Sequence, residues 1–134
     1  VAYCFAEKTG FSHFGHHYGN SEEPESPFCY CGFRPKFIMI KFNSEAQHWS
    51  IIDTERTQVE KDGSAHWAGN QVDNVIYFNS STYEITTRGL TLYATGFTMP
   101  ESHGEFNLND YKYVWVAFAD HPIVGSNGIV GTAF

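Results

Sequence analysis

The chain contains 134 residues, of which 17% are aromatic and 17% charged, and its formal net charge at neutral pH is −7. This length and composition are typical of one folded, sheet-rich domain and exclude a disordered segment. The eight Lys and Arg residues are scattered along the chain, so we expect no nucleic-acid partner. No apolar run approaches the roughly 20 residues of a membrane-spanning helix, so we expect no membrane insertion.

Nine short runs predict β-strands, because they are rich in aromatic and β-branched residues and are separated by Gly, Asn, Ser or Pro. In chain order they are 1–6, 11–18, 27–32, 36–42, 48–54, 74–79, 83–87, 90–95 and 111–119. Almost nothing in the chain has a helical period. The predicted fold is therefore all-β, a two-sheet β-sandwich of jelly-roll type.

Two of these runs also predict which of their side chains face the core. In the second run, Phe14, His16 and Tyr18 alternate with Gly15 and its neighbours, which predicts one buried and one solvated face. The last run is apolar throughout from 114 to 119, which predicts an inner strand.

The predicted domain occupies residues 8–122, with a C-terminal tail at 123–134. Residues 1–7 share the frame V-x-x-x-F-A-acid with residues 114–120. This echo predicts that residues 1–7 are either the last strand of a preceding related domain or a swapped strand. The alternative is coincidence, because strands draw on few residue types.

The cysteines and histidines do not form a recognisable site. Cys4, Cys29 and Cys31 are an odd number, and Cys29 and Cys31 are too far apart on one strand face for a disulfide, so we expect free buried thiols. His13 and His17 are weak candidates for metal ligands because they share a strand face. No zinc-binding spacing is present, so we predict neither a metal nor a cofactor.

Catalytic motifs are missing from the sequence as well. It has no G-x-S-x-G elbow, no P-loop and no H-E-x-x-H motif. Glu22, Glu23 and Glu25 lie in a serine- and proline-rich turn, which is more typical of a solvated loop than of a glycosidase carboxylate pair. We therefore predict that the protein is not an enzyme.

The segment from 28 to 56 carries the most specific pattern, an aromatic strand followed by G-F-R-P, an apolar strand ending in I-K, and W-x-I-x-D-x-x-R. The positions that carry it are Phe28, Tyr30, Gly32, Phe33, Arg34, Pro35, Ile40, Lys41, Trp49, Ile51, Asp53 and Arg56. This pattern resembles a domain of predicted tail-fibre and other virion proteins of bacteriophages, many of them marine.

The resemblance implies a structural domain of a virion appendage that contributes to host adsorption. It implies copies of the same chain as partners, most often three, together with other virion proteins. The implied location is the virion, after synthesis in the host cytoplasm. The family pattern supplies no catalytic residues.

An alternative function is a stand-alone carbohydrate-binding module, because aromatic side chains on sandwich loops can stack on sugar rings of a host-surface glycan. The long connection 55–73 is the predicted location of such a site. The candidate ligand-binding residues are Trp67, His66, Asn70, Asp73 and Tyr83. A structural interpretation assigns Trp49 and Trp115 to the core and makes Trp67 a packed loop anchor.

Overall fold

The protein is described by a computed structural model for residues 1–2, 4–22, 26–56, 70–86, 89–99, 104–121, 123–124 and 130–131. Every regular element within these ranges is a β-strand. A helix long and apolar enough to cross a membrane does not occur in them.

The described ranges contain eleven strands. They are β1 (Ser12–Tyr18), β2 (Cys29–Tyr30), β3 (Phe37–Phe42), β4 (Trp49–Asp53), β5 (Gln71–Val72), β6 (Val75–Tyr77), β7 (Leu90–Tyr93), β8 (Gly96–Thr98), β9 (Lys112–Phe118), β10 (Ile123–Val124) and β11 (Val130–Gly131).

Nine of these strands form two antiparallel sheets. The larger sheet has the order β1-β9-β3-β4-β6, and the smaller has the order β2-β8-β7-β5. Strands β10 and β11 pair only with each other. The predicted all-β class and two-sheet sandwich are confirmed, and so is the inner position of the last predicted strand, since β9 lies between β1 and β3.

The core lies between the two sheets because each strand alternates inward apolar residues with outward ones. In β3, Ile38, Ile40 and Phe42 are all buried. The sheets meet where Phe97 of β8 packs edge-on against Trp115 of β9, with ring centroids 5.2 Å apart. Burying each such side chain contributes about 1.5–3 kcal/mol, so this layer supplies the main stabilisation of the fold.

Four of the predicted runs differ clearly from the observed strands, and one of them, 27–32, is reduced to β2 (Cys29–Tyr30). Strands β5, β8, β10 and β11 lie where no strand was predicted. Residues 1–2 and 4–7 form no strand within this chain, although Phe5 lies edge-on to Phe118 at 6.1 Å. In the run 83–87, Ile85 makes a single bridge to Val75. In the run 90–95, only the first four residues form a strand, β7, because Ala94 and Thr95 form the two-residue turn of the β7–β8 hairpin. Neither residue is typical of such a turn, so the sequence did not indicate it.

Candidate functional site

The G-F-R-P segment connects the two sheets, running from β2 of the smaller sheet to β3 of the larger one. Gly32 has φ of 79°, a left-handed conformation that glycine adopts without strain. Its amide donates a hydrogen bond to Thr95 at 3.0 Å. Phe33 and Pro35 are buried, whereas Arg34 is exposed and donates to the carbonyl oxygen of Leu92 at 3.3 Å. The segment is a structural corner of the sandwich.

The W-x-I-x-D-x-x-R segment closes the turn that follows β4. The Asp53 carboxylate accepts hydrogen bonds from the amides of Glu55 and Arg56 at 3.0 Å and from Arg56 Nε at 2.6 Å. Arg56 also contacts Glu84 at 3.0 Å. Burial alone would raise the pKa of Asp53, but the hydrogen bonds and charge of Arg56 outweigh it and hold this pKa below its usual value. This pair therefore stabilises a turn.

Three of the five predicted glycan-binding residues, Asn70, Asp73 and Tyr83, lie in the part of the chain that the structure describes. His66 and Trp67 lie outside the described residues. Asn70 and Asp73 flank β5 at the edge of the smaller sheet, and Asp73 Oδ1 is buried with no hydrogen-bond partner among the described groups. Tyr83 is 84% exposed, between β6 and the bridge at Ile85.

The metal-ligand candidates His13 and His17 have other contacts. His13 Nδ1 pairs with the Glu7 carboxylate. His17 is buried, stacks on Tyr113 with ring centroids 4.8 Å apart, and donates from Nε2 to the carbonyl oxygen of Phe106 at 2.8 Å. Over the ranges given above, no group of three His, Cys, Asp or Glu side chains could hold a metal ion.

All three cysteines are free, as predicted, but only two of them are buried. Cys29 and Cys31 are 3% and 4% exposed, whereas Cys4 is exposed. Burial raises the pKa of Cys29 to about 12 and that of Cys31 to about 11. Both buried thiols are therefore protonated core groups.

His17 makes the stability of the fold depend on pH. Burial lowers the pKa of His17 from its ordinary value of 6.5; the hydrogen bond to Phe106 opposes this shift and the charge of His16 adds to it. Because the folded state holds the ring neutral, its contribution to stability is fully present above about pH 6.5 and decreases as the pH falls through the lowered pKa.

We expect urea unfolding of the wild type to show a lower free energy of unfolding at pH 5 than at pH 7.5. In His17→Phe, which keeps a ring against Tyr113 but cannot titrate, this decrease should be smaller. The variant should also be about 1 kcal/mol less stable at pH 7.5, because the carbonyl of Phe106 loses its donor. If the free energy of unfolding fell equally in both proteins between pH 7.5 and pH 5, ionisation of His17 would not be the cause of the pH dependence.

The outer face of the larger sheet is unusually apolar. Five residues occupy one cross-strand row, which we call the apolar row. They are Phe14, Val116, Met39, Ile51 and Ile76, one from each strand of the sheet. Phe14 is 39% exposed, and the next same-face position on β1, His16, is also exposed, so the solvated face of this strand is the one that carries Phe14, His16 and Tyr18. Trp49, which the structural interpretation assigned to the core, is 37% exposed on this face, so that assignment is wrong; Trp115 is buried as predicted.

The outer face of the smaller sheet carries three aromatic side chains that the sequence predictions missed. Phe28, Tyr30 and Tyr93 are 49%, 61% and 44% exposed. We call them the aromatic platform. A sequence signal for two of them exists, because Phe28 and Tyr30 alternate with the apolar, buried residues Cys29 and Cys31.

These features define an all-β sandwich domain with two distinctive outer faces, one bearing the apolar row and the other the aromatic platform. The chain belongs to a family described as a domain of unknown function, DUF7483, whose model matches residues 1–122. No curated protein and no solved structure matches the chain.

Proposed function

We propose that the chain is a structural domain of a phage virion appendage, such as a tail fibre, and that it assembles with copies of itself through the outer face of its larger sheet. The resemblance of the G-F-R-P and W-x-I-x-D-x-x-R segments to phage domains supports the location in a virion. The apolar row supports self-assembly and is the observation that carries the proposal.

The apolar row is unlike the outer face expected of a sandwich that stays alone in water. Antiparallel sheets usually turn polar residues to solvent on their outer face. Here Phe14 is exposed, Met39, Ile51 and Ile76 are half-buried, and Val116 between Phe14 and Met39 is buried. An apolar patch that crosses a whole sheet commonly marks an interaction site.

The size of this face suits an interface between proteins. Across its five strands, which lie about 4.8 Å apart, the face spans roughly 19 Å, and along the strands it spans from about 7 Å at β6 to about 20 Å at β1 and β9. Protruding side chains increase its accessible area toward the about 800 Å² that each partner contributes to a stable complex. The face can therefore hold a protein surface of domain size.

The charges around the row favour a second copy of the chain as the occupant. Lys41 borders the row on one side, and Asp53, which is paired with Arg56, borders it on the other. An apolar centre with a charged rim is the usual anatomy of a protein interface. Because the rim carries both signs of charge, one copy offers another copy opposite charges as well as an apolar surface.

Light scattering tests the assembly, and the phage resemblance predicts a trimer. The trimer should persist in reductant, because an interface made by the apolar row needs no disulfide. The measurement is made with reductant present, since Cys4 is exposed and can link chains, whereas Cys29 and Cys31 are buried. A chain that stays monomeric at high concentration would contradict the proposal.

Ile51→Lys should abolish the assembly while the domain stays folded. Ile51 lies half-buried at the centre of β4 in the apolar row, and an unpaired ammonium buried in an interface costs about 3 kcal/mol or more. We expect association to weaken at least 100-fold, as measured by analytical ultracentrifugation, with an unchanged circular dichroism spectrum.

Ser44→Lys is the matched control for this variant. It adds the same charge to the exposed turn between β3 and β4, within the same hairpin but off the face. It should assemble like the wild type. Equal weakening by both substitutions would indicate a general charge effect and would place the interface elsewhere.

A further inference from the structure

We infer that the outer face of the smaller sheet binds a neutral carbohydrate chain, with the aromatic platform as the surface on which its sugar rings stack. This site lies on the opposite side of the sandwich from the apolar row. It differs from the loop site predicted from the sequence, and it requires no assembly of the chain.

The pairing of three strands brings the two tyrosines to one face. Tyr30 of β2 and Tyr93 of β7 both pair with Gly96 of the intervening strand β8. Residues directly opposite each other across antiparallel strands project to the same side of the sheet. The tyrosines are therefore two strand spacings, roughly 10 Å, apart on one surface. A ligand that contacts both rings must be longer than one sugar ring.

Gly96 provides the space in which the third ring of the platform lies. A Cβ atom at Gly96 would lie 2.7 Å from Cζ of Phe28 and 2.3 Å from the carbonyl oxygen of Cys29. The Phe28 ring thus covers the glycine between the two tyrosines. It also meets the Tyr93 ring edge-on, with centroids 5.6 Å apart and planes at 74°. The platform is held in place by these contacts before any ligand arrives, which lowers the entropic cost of binding.

Polar groups lie in the next cross-strand row of the same face. Thr98 of β8, Thr91 of β7 and Gln71 of β5 are in register, and each is half-buried. The Gln71 amide nitrogen contacts the Thr91 hydroxyl at 3.3 Å. Asn70, one of the residues predicted from the sequence to bind a glycan, accepts a hydrogen bond on its carbonyl from the amide of Leu92 at 2.8 Å, next to Tyr93.

This combination of groups matches the chemistry of a sugar chain. The C–H faces of pyranose rings are apolar and stack on aromatic rings, while their hydroxyls need hydrogen-bond donors and acceptors. The platform supplies the rings, and the threonine hydroxyls and the glutamine amide supply both kinds of hydrogen-bonding group.

The two rows carry no charged side chain, which favours a neutral ligand over a charged one. None of the six side chains on them, those of Phe28, Tyr30, Tyr93, Thr91, Thr98 and Gln71, carries a charge, and Arg34, which lies beside β7, donates to the carbonyl oxygen of Leu92. A nucleic acid would need Lys or Arg side chains to bind its phosphates, and an acidic polysaccharide would need them to bind its acidic groups. A neutral glycan needs no cationic side chain.

Binding is measured by titration calorimetry with four neutral hexasaccharides that differ in linkage and substituent, namely cellohexaose, maltohexaose, mannohexaose and chitohexaose. We expect at least one of them to bind and the matching monosaccharide to bind far more weakly, since it reaches only one ring. If none of the four binds at millimolar concentration, the inference is wrong.

Variants then locate the site. Tyr30→Ala and Tyr93→Ala should each weaken binding of that hexasaccharide about tenfold, because each removes one stacking ring. Phe78→Ala is the matched control: Phe78 is 74% exposed just after β6 of the other sheet, so its loss should leave the affinity unchanged. All three variants should keep the wild-type circular dichroism spectrum.

Two further comparisons separate this site from the other proposals. Ile51→Lys should bind the hexasaccharide like the wild type on a per-chain basis, so failure of the assembly proposal would leave the glycan result intact. If instead Trp67→Ala abolishes binding and Tyr30→Ala does not, the site lies in the long connection, and the assignment to the smaller sheet is overturned. A platform that contacts only a protein partner would give no heat with any of the four sugars.

Discussion

Replacing Tyr113 with alanine should lower the free energy of unfolding by about 4 kcal/mol, a large share of the about 5–15 kcal/mol that a domain of this size has. The ring is fully buried in β9. It stacks on His17 from β1 and on Phe42 from β3, at centroid distances of 4.8 and 5.1 Å. Alanine would leave a cavity beneath three strands of the larger sheet. Urea denaturation followed by tryptophan fluorescence measures the loss.

Tyr113→Phe separates the contribution of the ring from that of its hydroxyl. The hydroxyl accepts a hydrogen bond from the amide of Leu108 at 3.0 Å and donates one to the carbonyl of Gly104 at 3.1 Å. Phenylalanine keeps the stacking but leaves both groups unpaired, so we expect a loss of about 1–2 kcal/mol. If the two variants lost equal stability, the hydroxyl network rather than ring packing would hold this end of the sheet.

The strands of the larger sheet could be predicted because they are short apolar and aromatic runs bounded by turn residues. The run 36–42 holds four consecutive apolar residues, Phe37 to Ile40, and β3 follows it. The alternation in the run 11–18 predicted one buried and one solvated face, but not that Phe14, His16 and Tyr18 would lie on the solvated one. The strands are local patterns that can be recognised without knowledge of their neighbours, whereas the choice of face cannot.

The two outer faces could not be predicted in this way, because they depend on which strands become neighbours. Tyr30 and Tyr93 are distant in sequence and meet on one face only through β8. In the same way, Phe14 and Ile76 join one row only after three other strands are inserted between them. Strand order is a non-local property, and alternation within a run carries no information about it.

The predicted site was placed in the long connection because long loops are often functional, whereas aromatic residues within strands were taken as core. Trp49 shows the weakness of that assumption, since it begins β4 and is 37% exposed. An aromatic residue in a strand faces the core or the solvent according to its register alone. Phe28 and Tyr30 face solvent for this reason, beside the buried Cys29 and Cys31.

Gly15→Ala should destabilise the domain by about 2–3 kcal/mol, although alanine normally suits a strand better than glycine. A Cβ atom at Gly15 would lie 2.3 Å from Cζ2 of Trp115 and 2.7 Å from two further atoms of its ring. The ring has little freedom to move away, because Phe97 packs edge-on against it at 5.2 Å and His13 lies at 5.6 Å. The new methyl group therefore either displaces the indole or separates β1 from β9. Thermal and urea unfolding would both report the loss.

A second substitution tests whether the indole is the cause. Trp115→Leu removes the atoms that a Cβ at Gly15 would strike, so the penalty of Gly15→Ala should largely disappear in that background. We expect a favourable coupling of about 1–3 kcal/mol in the double-mutant cycle, even though Trp115→Leu is itself destabilising. If the two losses simply add, the glycine is needed for the backbone of β1 and not for the tryptophan. A favourable coupling would show that position 15 must be glycine because the Trp115 indole occupies the space that a side chain there would need.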